Sequence, residues 1–142
     1  MNIQKLMVAL VGAFEKKLGP GGLDQLQSDL LCCAFEGGSN YWYRIDKEVY
    51  PEGKKDGDVK FPHINLPLLK GGALLISTGG DHPNPKTKKD LWRLDRAALE
   101  KGWLLMITDA PGHYADAVDG NFDACTGDVY LQLCLFGEVI FG

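Results

Sequence analysis

Apolar residues recur along this chain with two different periods, and the switches between them mark its elements. Ile3, Leu6, Met7, Leu10, Val11, Phe14 and Leu18 stand at the i, i+3, i+4, i+7 spacing of one helix face. Glu15, Lys16 and Lys17 mark the wet side of that helix, and Gly19-Pro20-Gly21-Gly22 stops it near residue 18. A second helix is predicted from about 23 to 35, with Leu23, Leu26, Leu30 and Leu31 inward and Gly37 as a left-handed cap. The two helices make an antiparallel or crossed pair. At Asn40 the period shortens to two. Asn40 to Ile45 alternates and is rich in aromatics, which predicts a strand. Residues 46 to 62 carry Pro51, Gly53, Gly57 and many charges, and read as a solvated loop or a hairpin with irregular strands.

Ile64 to Leu69 and Ala73 to Thr78 flank Lys70-Gly71-Gly72, a hairpin signal, with Pro67 confining the first strand to a sheet edge. Asn84-Pro85 has the chemistry of a helix start, and Leu91, Leu94, Ala98 and Leu99 continue the helix. Trp103 to Ile107 shows no alternation, so that helix passes Gly102, and Pro111-Gly112 is its stop. A short helix follows over His113 to Val118. Asp123 caps a last buried helix through Val129, Leu133 and Phe136, closed by Gly137. Glu138 to Phe141 reads as a short terminal strand beside Asn40 to Ile45. This order predicts an α+β fold: a small antiparallel sheet packed against several helices in a single domain over residues 1–142.

Composition narrows the classes. The chain has 142 residues, 45 % of them apolar, which supports a core and excludes disorder. Its formal charge of −4 and pI of about 5.3 leave no basic surplus for duplex DNA. Lys86, Lys88, Lys89, Arg93 and Arg96 supply one local basic patch. No apolar run approaches the roughly 20 residues of a membrane span, and no signal-peptide pattern opens the chain. The four cysteines, Cys32, Cys33, Cys125 and Cys134, form no C-x-x-C pair and read as buried free thiols of a reducing cytoplasm.

The candidate chemistry gathers in Glu36-Gly37-Gly38-Ser39-Asn40-Tyr41-Trp42-Tyr43. This stretch is too polar for a core strand and too aromatic for a plain turn, so it is expected to form the rim of a binding site. On a strand, Tyr41 and Tyr43 would share one face and Trp42 the other, leaving one face free to stack on a purine. Glu36, Asp128 and Glu138 are acids in apolar or glycine-rich surroundings, where a carboxylate needs partners. Capping of backbone donors explains them, and so does a site. Neither a D-x-D-x-D-G loop nor an H-x-x-x-H helix is present, and His63, His82 and His113 lie far in sequence from every cysteine, so no metal, cofactor or catalytic residue is assigned. The glycine pairs at 37–38, 71–72 and 79–80 fit no nucleotide fingerprint, but Ser77 to His82 leads into a helix start rich in lysine, which suits an anion.

Ala34 to Tyr43 and Asp123 to Val139 together resemble a family of small uncharacterised tailed-phage proteins, through AFEGGSNYW and DAxTGDVxLQLxLFGEV blocks. Cys125 departs from that pattern, where a charged or polar residue is expected. The resemblance implies a viral origin and a host-cytoplasmic location, and it brings no activity with it. By analogy of class, it leads to the expectation of a homo-oligomeric, non-catalytic protein that sequesters a cyclic or other small nucleotide immune signal. Ser39, Asn40, Tyr41 and Trp42, beside Glu36, would contact base or sugar. Lys86, Lys88 and Arg93 would offset phosphate charge. Two alternatives stand beside it: a module docking on a host or viral protein by exposed aromatics, and a hydrolase or nuclease using Glu36, Asp128 and Glu138 around a divalent cation.

Overall fold

Nearly every residue from Thr126 to Leu135 is buried, so the last helix has no wet face and must be surrounded by the rest of the chain. The computed structural model describes residues 21–78 and 91–142, together with 2, 4–6, 8, 9, 13 and 16. In chain order the elements are α1 (Gly22–Cys33), a π-helical turn (Ala34–Gly38), β1 (Arg44–Val49), α2 (Pro62–Asn65), a 3-10 turn (Leu66–Leu68), β2 (Ala73–Ser77), β3 (Trp92–Leu94), α3 (Arg96–Asp109), α4 (Pro111–Val118) and α5 (Ala124–Phe136). The strands form one antiparallel sheet in the order β1-β2-β3, with Ile45 opposite Ile76 and Leu74 opposite Leu94. A bulge breaks the register of β1 between Ile45 and Lys47. The fold is α+β, a small antiparallel sheet against several helices.

α5 packs on α1 and the π-helical turn on one side and on α3 on the other. Glycine permits the first contact: a Cβ on Gly127 would sit 2.7 Å from the Leu30 carbonyl oxygen. Leu30, Leu31, Trp42, Leu74, Ile76, Leu94, Trp103 and Leu131 fill the interior. A buried polar bridge joins the three helices. Gln27 Nε2 donates to the Tyr130 hydroxyl at 3.0 Å, and that hydroxyl donates to the Leu99 carbonyl at 3.0 Å. Asp123 caps α5 through the Thr126 amide, and Gly137 ends it with φ 75°, both as expected. α3 runs through Gly102 to Asp109, also as expected. No helix among the described residues is long and apolar enough to cross a membrane.

Five local expectations are corrected. Gly37 is not left-handed; the chain leaves α1 through a π-helical turn, in which the Ser39 amide donates to the Ala34 carbonyl at 2.8 Å. Residues 39–42 are therefore turn, and the first strand begins at Arg44. Residues 62–68 are helical rather than extended. Pro62 sits naturally in a first helical turn, and Pro67 has no N–H to give a strand ladder. β2 therefore pairs with β1 and β3 instead of with 64–69. Trp92–Leu94 is a strand because the edge of β2 offers it partners, and the helix starts afterwards at Asp95, whose side chain accepts from the Ala98 amide at 3.0 Å. The terminal segment makes no strand either. The amides of Ile140 and Phe141 donate to Gln132 Oε1, both at 2.8 Å, so its donors are already used. The described positions of the predicted first helix, 4–6, 8, 9, 13 and 16, are helical, and the rest of it lies outside the described residues. So do 79–90, with His82, Lys86, Lys88 and the expected helix start at Asn84-Pro85.

Candidate functional site

The 36–43 stretch and the last helix meet at one buried carboxylate. Asp128 Oδ1 accepts from Ser39 Oγ at 2.7 Å, Trp42 Nε1 at 2.7 Å and Gln132 Nε2 at 3.1 Å; Oδ2 accepts from the Tyr41 hydroxyl at 2.8 Å. A buried carboxylate is tolerated when donors surround it, and these four do so. Gln132 extends the network, binding the backbone of Ile140 and Phe141. Trp42 is then stacked on Phe141, with ring centroids 5.3 Å apart and planes 6° from parallel. Gly38 makes the approach possible, since a Cβ there would run into the Ala124 carbonyl. The stretches 34–43 and 123–139 are thus the two halves of one internal clasp.

This decides where the expected rim residues stand. Ser39 and Trp42 are fully buried with their polar atoms on Asp128, not at an open rim. Tyr41 is half-buried, and burial followed by its hydrogen bond to Asp128 pushes its hydroxyl up to about 12. Tyr43 donates to the Phe35 carbonyl at 2.6 Å. Glu36 and Asn40 are exposed. Asp128 does not join Glu36: Asp128 is enclosed by its donors, and Glu36 is held by the Cys32 thiol at 2.5 Å, with His63 Nε2 at 3.8 Å. Among the described residues no group of three His, Cys, Asp or Glu is placed to hold a metal ion.

The thiols are corrected in one respect: only Cys134 is buried, Cys32 and Cys33 are half-buried, and Cys125 is exposed. None of the three with a shifted acidity is activated. The hydrogen bond to Glu36 pushes Cys32 up to about 11, and burial raises Cys33 and Cys134. His113 lies on α4 and shares a 3.1 Å hydrogen bond with the Thr126 hydroxyl.

Surface hollows among the described residues include two. The larger, about 440 Å³, lies between the start of α1 and the end of α4, over Leu26, Ala117, Val118 and Phe122. Its polar side chains satisfy each other, Gln25 Nε2 donating to Asp29 Oδ1 at 2.8 Å. The smaller, about 310 Å³, is lined by Leu69 to Gly72 and by Arg93, Asp95, Arg96 and Ala97. It is at the lower end of the range of ligand sites, roughly 300 Å³ upward. Three cations border it. Arg96 is committed to the fold, donating to the Leu68 carbonyl and, through both terminal nitrogens, to Asp24 at 3.1 and 3.3 Å. Among the described residues Arg93 gives only Nε, to Asp95 Oδ2 at 3.0 Å, while Asp95 Oδ1 caps α3. Lys70 has no ion pair among the described residues, and it is exposed.

Of the expected ligand set, then, Arg93 lines a cavity. Lys86 and Lys88 lie outside the described residues, and the aromatic half is built into the clasp or its edge. Lys70 was missed because Lys70-Gly71-Gly72 reads as a hairpin turn. The available signal was a lysine beside paired glycines, which leave room for a ligand. No protein-family model, no curated protein and no solved structure matches this chain.

Proposed function

We propose that the protein is a non-catalytic binder of a small nucleotide, taken at the cleft between Lys70–Gly72 and Arg93–Ala97. The observation that carries this reading is the spare donor capacity of Arg93 and Lys70 at the wall of one cavity. A guanidinium held by Nε presents its two terminal nitrogens as a planar fork, the geometry that matches two phosphate oxygens. The phosphate end of the ligand belongs at this cleft, and the part earlier given to Tyr41 and Trp42 is left to other surfaces. The phage resemblance makes a cyclic nucleotide alarm signal of the host the ligand to try first, with sequestration by a homo-oligomer as the biological role. Isothermal titration against nucleotides and cyclic di- and trinucleotides tests the reading. Binding that disappears in Arg93→Ala is the expected result, and no heat from any of them overturns it.

A second reading has its own observation. Phe61 is 65 % exposed and adopts φ 46°, a conformation that a bulky side chain rarely takes. An aromatic kept on the surface in a strained conformation fits contact with a protein partner. Cross-linking from infected cells, with a Phe61→Ser variant as control, separates this reading from the first. A partner captured by both forms equally counts against a role for Phe61.

A further inference from the structure

The charges around the cleft do not simply add up to a basic site. Lys70, Arg93 and Arg96 bring three positive charges, while Asp95 and Asp24 are paired with the two arginines. Among the described residues, one positive charge is left over. The Asp95 carboxylate is itself part of the wall, fixed there by two duties: one oxygen caps α3 and the other orients Arg93. It cannot swing away from an arriving anion without uncapping a helix and releasing that arginine.

Resting on the nucleotide reading above, we infer that this cleft selects a singly charged phosphodiester over a doubly charged terminal phosphate, and that Asp95 sets the preference. A phosphodiester matches the surplus charge and accepts from Lys70 Nζ and the terminal nitrogens of Arg93. A terminal phosphate carries about −2 near neutral pH. Its second charge would give up water without gaining a cation, and would do so beside a fixed carboxylate. Burying charge without a partner is unfavourable, and like charges brought together discriminate against the wrong ligand. Asp95 is a positioning and specificity residue here, acting through Arg93 and through its own charge.

The test is a titration of the full-length protein at pH 8 with the 3′,5′-cyclic monophosphates of adenosine, guanosine, cytidine and uridine, and with the four matching 5′-monophosphates. Each pair differs in phosphate charge and keeps its base. For every base that binds, the cyclic form is expected to bind at least about tenfold more tightly. Asp95→Asn keeps a side chain that caps a helix as well as Asp does. That variant is expected to bring the ratio down towards one. A 5′-monophosphate that binds as tightly as its cyclic form, or a ratio unchanged in Asp95→Asn, overturns the inference and leaves the nucleotide reading standing. If none of the eight binds at millimolar concentration, the inference falls, and the nucleotide reading is decided separately by the cyclic di- and trinucleotide titration. The wild-type ratio decides the matter even if the variant does not fold.

Discussion

Asp128 and Arg93 are both charged groups with partners, yet they do opposite things. Asp128 is enclosed by four donors from the 39–42 turn and its own helix, and has nothing left to offer a ligand. Arg93 is half exposed, with one donor spent on Asp95 and a planar fork left over. The difference teaches that the role of a charge follows from the bonding capacity its neighbours leave unused. A carboxylate in apolar surroundings attracts attention in a sequence, but full satisfaction makes it a fastener. The less conspicuous arginine, on a short edge strand, keeps its terminal donors unspent among the described residues.

The largest effect is expected of Asp128→Ala. It leaves the buried Ser39 and Trp42 donors without an acceptor, removes one of the two acceptors of Gln132 Nε2, and is expected to destabilise the fold by about 3–5 kcal/mol, read from urea denaturation. A loss below about 1 kcal/mol would mean that the clasp is not holding the two blocks together. Next comes Gly38→Ala, where backbone must move away from the new methyl group, at about 3 kcal/mol. A variant as stable as the parent would remove close packing from the account.

The clasp also has an alkaline signature. Tyr41 is held up at about 12, against an ordinary 10.0, first by burial and then by its bond to Asp128. The fold therefore favours the neutral hydroxyl. That contribution is complete below pH 10 and is lost as pH rises towards 12. Buried Tyr130, raised well above its ordinary value by burial, adds to the same loss. Urea midpoints from pH 9 to 12 should fall less steeply for Tyr41→Phe than for the parent, and parallel curves would show that Tyr41 is not coupled to folding.

Phe61→Gly has a smaller expected effect, a gain of about 1 kcal/mol, because glycine adopts φ 46° without the steric penalty. A thermal melt that shows a loss instead would mean that the exposed ring makes contacts worth more than the strain. The smallest effect on stability belongs to Arg93→Ala, under about 0.5 kcal/mol, since its pair with Asp95 is largely exposed. That variant nonetheless removes the fork from the cleft, so the same calorimetric titration should lose its signal while the melt stays put. Stability and binding would then divide between the two regions, and a large loss of stability in Arg93→Ala would erase the contrast.

Much of the helical framework was legible in the residues alone. The apolar spacing of Leu23, Leu26, Leu30 and Leu31, the cap at Asp123 and the glycine stop at Gly137 are local signals, and local hydrogen-bond geometry enforces them. Strand partners and the meaning of the polar–aromatic block were not legible. Trp92 to Leu94 continues a helical period, but the open edge of β2 turns it into a strand. Ile64 to Leu69 has strand-like composition, but Pro62 and Pro67 and the turns around them fold it helically. Asp128 lies 86 residues from Trp42, and no spacing rule relates them; only the packing of α5 through Gly127 and Gly38 brings the carboxylate to its donors. The cleft follows the same logic, since Lys70 and Arg93 become neighbours only once β3 pairs beside β2. Sequence by itself determined where the chain prefers to coil and cap, because those preferences are settled within a few residues. The tertiary structure alone decided which polar groups are used up and which remain available, because that depends on groups brought together from distant parts of the chain.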